Sequence, residues 1–138
     1  MAQQASLTSH QTGTLNLFKL LWRSDAALTL ISGAFIIFAT STVIDALGMS
    51  ANSDVLLRAE GGLFSLYALW QLWVAREGSI TRRNFQIARF MMLIMGIDFL
   101  VAPLVLELNT FGVAASLVMG VGGWSLAFIW HLALRENH

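Results

Sequence analysis

Asp98 lies near the middle of an otherwise apolar stretch, Ile94-Met95-Gly96-Ile97-Asp98-Phe99-Leu100-Val101-Ala102-Pro103. A charged carboxylate at the centre of a bilayer costs on the order of 3 kcal/mol, so such a group faces a bundle interior or pairs with a cation. Beside a kink it can serve as a proton or ion site. Pro103 provides the kink, because it lacks the amide hydrogen that would reach the carbonyl of Phe99. The competing reading is structural: a buried acid satisfied by an arginine or a hydroxyl on a neighbouring helix. Arg58 is the natural partner, and a network with Asp45, Glu60 and Asp98 would satisfy charges that lipid cannot. The alternative is that Arg58, Asp45 and Glu60 each extend to the headgroups.

A second constellation is aromatic. Phe64, Tyr67, Trp70 and Trp73 recur at helical spacing with Gln71 beside them. A flat ring such as a quinone or carotenoid would lie against such a stripe, which equally suits ordinary packing or lipid contact. His131 follows Ala127 by four residues, a spacing that resembles the Ala-x-x-x-His chlorophyll-ligating motif of light-harvesting polypeptides. Haem with two axial histidines would need a second intramembrane His, and His10 and His138 stand in the terminal tails, so His131 reads first as an interfacial residue near the inner headgroups. Cysteine is absent, which removes disulfides, thiolate metal sites and cysteine nucleophiles. No G-x-S-x-G, H-E-x-x-H, Walker A or G-x-G-x-x-G motif occurs. The expectation is therefore a chain with no catalytic residue, no metal site and no cofactor.

The elements that position these residues follow from composition. Of 138 residues, 57% are hydrophobic and 12% charged, with a mean hydropathy of +0.68. Soluble domains carry about 45–50% apolar and roughly 25% charged residues. A chain this short cannot hide that apolar excess in one globule. Zero net charge supplies no field for nucleic acid, so the expected partner is the lipid bilayer.

Residues 1–13 read as a disordered polar tail, and 14–23 as a short amphipathic helix in the membrane interface or, alternatively, as the frayed start of the first span. Residues 24–138 then read as one all-α domain of four transmembrane helices in an up-down bundle. Its spans cover about 26–48, 54–76, 85–106 and 111–134, with Ser24 or Asp25 capping the first. With four spans the termini share a side with Lys19, Arg23, Arg76, Arg82, Arg83, Arg89 and Arg135, against Arg58 alone on the other. That asymmetry predicts cytoplasmic N and C termini.

The halves also align with each other. Leu30-Ile31-x-Gly33 matches Leu93-Ile94-x-Gly96 at an offset of 63, and Ser65-Leu66 with Trp70 matches Ser125-Leu126 with Trp130 at 60. A parallel duplication would give two equivalent helical hairpins. In the last span, Gly112, Ser116 and Gly120 form a small-residue ridge for close helix packing, within the chain or against another subunit.

The segment Leu56-Leu57-Arg58-Ala59-Glu60-Gly61-Gly62-Leu63-Phe64-Ser65-Leu66-Tyr67-Ala68 resembles one in uncharacterised bacterial four-span membrane proteins. That resemblance covers mainly the first two spans. It implies membrane location and four spans, and suggests that Arg58 and Glu60 act as a pair beside glycines that admit a neighbouring helix. Small multidrug exporters are similar in length but place an essential acid within the first span, where Asp45 near its outer end is the first acid expected here. The leading expectation is a non-enzymatic accessory, assembly or scaffold subunit that joins itself or a larger membrane complex through the small-residue ridge. The alternatives are a small transporter or ion-coupled binding protein using Asp98, and a quinone-, lipid- or pigment-binding subunit.

Overall fold

A computed structural model describes residues 9–77 and 80–136, with side chains from Asn16 onward. Residues 1–8, 78–79 and 137–138, with the parts of the expected tails and loop they hold, lie outside the described residues. The described chain is all-helical: α1 (Ser9–Phe38), α2 (Thr40–Leu47), α3 (Asp54–Arg76), α4 (Arg82–Val105) and α5 (Thr110–Glu136), with one 3-10 turn at Ala51–Ser53. Three helices are long and apolar enough to cross a membrane: α1 from Asn16 to Phe38, α4 and α5. The 23-residue α3 has comparable length but carries Asp54, Arg58, Glu60 and Arg76.

The first helix differs from its expected form. It starts at Ser9, inside the segment read as a tail, and passes through Arg23 without a break. The stretch 14–23 is therefore the beginning of the first long helix rather than a separate interfacial one. No glycine or proline stands between Thr14 and Ser32 to end it. The break falls at Ala39 instead, where φ is −120° and ψ is 38°. Just beyond, the Thr40 hydroxyl donates to the carbonyls of Ile36 at 2.7 Å and Ile37 at 2.9 Å. Such back-bonding bends helices.

Two hairpins carry the close backbone contacts, α1 against α3 and α4 against α5. Glycines make both approaches feasible. A Cβ added to Gly33 would lie 2.8 Å from the Gly61 carbonyl oxygen, and one added to Gly61 would lie 2.9 Å from that of Gly33. Gly96 and Gly120 repeat this reciprocity at 3.1 and 3.2 Å. The Ser65 hydroxyl donates to the Gly61 carbonyl at 2.8 Å, and the Ser125 hydroxyl to that of Val121 at 2.8 Å. The aligned positions thus make corresponding contacts, although Gly61 and Gly120 fall one residue off the offset that relates Ser65 to Ser125.

At the end nearest Arg76 and Arg82, an aromatic core joins the hairpins. The Trp22 ring centroid lies 5.7 Å from that of Trp70, 5.5 Å from Phe85 and 5.3 Å from Trp130, while Phe85 and Trp130 stand 5.8 Å apart. Trp22 and Trp130 are fully buried. At the other end Asn109 is the clip. Its backbone amide donates to the Leu47 carbonyl at 2.9 Å, and its side-chain amide to that of Ala46 at 3.0 Å. Its Oδ1 accepts from the Gly112 amide at 2.7 Å, capping the first turn of α5. Gly48, with φ of 70°, ends α2 against Asn109, where a Cβ would have neither conformational nor steric room.

Gly112, Ser116 and Gly120 are all buried. A Cβ on Gly112 would meet the Leu47 carbonyl, and one on Gly120 would meet Leu100. The ridge packs against α2 and α4 of its own chain, so it is not the exposed subunit interface that the accessory reading relied on.

Candidate binding site between the hairpins

Because α1 begins at Ser9, Asp25 stands about four turns inside it rather than at a cap. Its side chain is turned inward, and the residue is 7% exposed. Gln71 of α3, fully buried, donates from Nε2 to Asp25 Oδ2 at 2.9 Å. Thr29, one turn along α1, donates from Oγ1 to Asp25 Oδ1 at 3.2 Å. The indole N–H of Trp22, also on α1, donates to the backbone carbonyl of Gln71 at 2.8 Å, tying the same level of α3 a second time. Both hydrogen-bond donors to the carboxylate are neutral, and no salt bridge reaches it among the described residues.

Three buried polar atoms nearby have no hydrogen-bond partner among the described residues: Gln71 Oε1, the Tyr67 hydroxyl and Trp130 Nε1. Buried polar groups are overwhelmingly satisfied in folded proteins, and an unsatisfied one costs about 1–3 kcal/mol. Two lie on α3 and one on α5, whose Trp130 packs on Trp22.

Asp25 also lines a cleft of about 500 Å³ that separates the hairpins between the aromatic core and the Asn109 clip. Thr29 and Ser32 continue its polar side along α1. The opposite walls are apolar: Phe64 from α3, Met92, Met95 and Phe99 from α4, and Met119, Gly122 and Leu126 from α5. That volume falls within the range of small-molecule pockets, which are mostly apolar with a few placed polar groups. Methionine walls adapt to ligands of varied shape.

The residues singled out by sequence fall into three places. Gln71 and Tyr67 belong to the buried polar level, and Trp70 packs on Tyr67 with centroids 5.8 Å apart. His131 is exposed, with Nδ1 3.0 Å from Arg89 Nη1, and lies off the cleft. Asp98 and Asp45 are exposed, and neither lines the cleft.

The expected network on Arg58 does not form. Arg58 instead pairs with Asp54 one turn away at 3.1 Å, with both side chains exposed. Residues two apart on a helix point about 200° apart, so Glu60 cannot share the face of Arg58. The Glu60 and Asp98 carboxyls neighbour each other across α3 and α4. The buried acid that sequence reading missed is Asp25, set aside as a cap. Its signal was the absence of any helix breaker before it, together with a hydroxyl residue one turn on. It also means that the first long helix does hold an acid ahead of Asp45.

The chain matches no family model, no curated protein and no solved structure.

Proposed function

We propose that this chain is a small, non-enzymatic integral membrane protein of the bacterial cytoplasmic membrane. It holds a membrane-soluble molecule between its two hairpins, with the polar end of that molecule at Asp25. The observation that carries this reading is the cleft of about 500 Å³, apolar on three helices and polar along one edge of α1. Large apolar side chains exposed on every long helix, such as Leu28, Leu63, Phe90 and Phe128, suit contact with lipid.

In this reading α3 is the fourth span, its charges lying near its ends, and both termini face the cytoplasm with seven of the eight basic residues. The corresponding contacts of the hairpins suit descent from one duplicated unit. An accessory or scaffold role loses its proposed surface, since the ridge of Gly112, Ser116 and Gly120 is internal. Transport through Asp98 loses its setting, since that carboxylate stands outside the cleft.

The test is an organic extract and an absorbance spectrum of protein purified from its membrane in mild detergent, compared with Gly122→Phe. A Cβ on Gly122 meets nothing within 4 Å, so the ring would fill the cleft without displacing backbone. The expected result is a stoichiometric small molecule in the wild-type extract that the variant lacks. Wild-type protein that is ligand-free, or a molecule retained equally by Gly122→Phe, overturns the reading.

A further inference from the structure

The cleft presents more hydrogen-bond acceptors than donors at its polar end. An ionised carboxylate offers about four acceptor sites. Asp25 uses two, on Gln71 Nε2 and Thr29 Oγ1. Among the described residues, no lysine, arginine or histidine lines the cleft. A buried carboxylate without a cation is costly, and a ligand can bring the counter-charge that the described residues do not supply.

Depth adds a second constraint. Gln71 precedes the end of α3 at Arg76 by about 7–8 Å of helix, so Asp25 sits near the end of the bundle that carries the arginines. The apolar walls at Phe64, Met95 and Phe99 lie farther from that end. A charged head entering at this level stays close to the headgroup region while its body occupies the hydrocarbon.

We propose that the cleft selects an amphiphile ending in a primary amine, with its ammonium seated on Asp25 and its chain running past Phe64, Met95 and Phe99. The ammonium N–H groups then meet the two open positions on the Asp25 carboxylate, and the single positive charge neutralises the acid. An anionic head would meet the same acceptors with repulsion. This inference rests on the cleft being a binding site, as proposed above.

The experiment measures binding to the purified protein in nanodiscs of neutral lipid, with protein-free discs subtracted. Dodecylammonium, dodecanol and dodecanoate serve as probes of equal chain length. Wild type is expected to bind dodecylammonium at least about tenfold more tightly than dodecanol, the size of a charge-assisted hydrogen bond or two, and to reject dodecanoate. Asp25→Asn keeps the shape and can still bond Thr29 and Gln71, and it is expected to abolish the preference for the ammonium. Should Asp25→Asn fail to fold, the comparison of the three heads on wild type still decides. Equal binding of ammonium and alcohol overturns the amine selectivity while leaving a binding cleft. Binding of none of the three overturns both readings.

Discussion

The side-chain amide of Gln71 donates to the carboxylate of Asp25 at 2.9 Å, joining α3 to α1 through two residues that are both buried. Trp22 donates to the backbone of the same glutamine at 2.8 Å. One level of the first hairpin is therefore tied twice, by a side chain and by the main chain. In a low-dielectric setting such bonds matter chiefly because breaking one leaves its partner unsatisfied.

Replacing Gln71 by Leu is expected to destabilise the fold by about 1–3 kcal/mol, since the Asp25 carboxylate loses its donor across the hairpin while remaining buried. Adding Asp25→Leu should recover much of that loss, because both partners are then apolar. Detergent-induced unfolding of the two single variants and the double variant measures the coupling. Strictly additive effects would show that the bond contributes little.

Neighbouring glycines of α3 should behave oppositely. Gly61→Leu drives a side chain into the Gly33 carbonyl and is expected to cost at least about 3 kcal/mol or prevent accumulation. At Gly62 an added Cβ meets nothing within 4 Å, so Gly62→Leu should change stability by less than about 1 kcal/mol, with a gain in helix propensity. Expression level and thermal aggregation temperature compare the pair. Equal tolerance at both sites would contradict the Gly33–Gly61 contact.

Topology can be read directly, because the chain has no native cysteine. Asn52→Cys, Glu77→Cys and Glu136→Cys place thiols at exposed positions. In intact cells an impermeant maleimide should label position 52 and reach 77 and 136 only after permeabilisation. Labelling of 52 and 77 from the same side would mean that α3 does not cross.

Asp98→Asn is expected to leave stability unchanged within about 0.5 kcal/mol or to raise it, and to leave occupancy of the cleft intact. The exposed carboxyl lies against Glu60 rather than a cation. Unfolding curves and ligand content together check this. Loss of ligand with a stable fold would return Asp98 to the functional site.

Much of this protein is legible in its sequence, for local physical reasons. Apolar runs bounded by polar turns define helices, so the limits of α3 are readable at Asp54 and Arg76, and those of α4 and α5 to within a few residues. The repeated Leu-Ile-x-Gly pattern announces that Gly33 and Gly96 occupy corresponding places. Glycine spacing in α5 announces a close packing face. These features depend on periodicity and residue size along one helix, which the chain carries in its order.

What tertiary structure decided is which polar groups meet. Asp25 and Gln71 are 46 residues apart in sequence and come together only when α1 passes its expected start and lies along α3. The same packing turns Asp98 outward toward Glu60, gives Arg58 to Asp54, and buries the ridge of α5 against its own chain. A one-dimensional hydropathy pattern ranks acids by depth, and by that measure Asp98 looked the more constrained. Burial depends instead on rotation about each helix axis, and that rotation is set by glycine contacts and aromatic packing between segments distant in the chain.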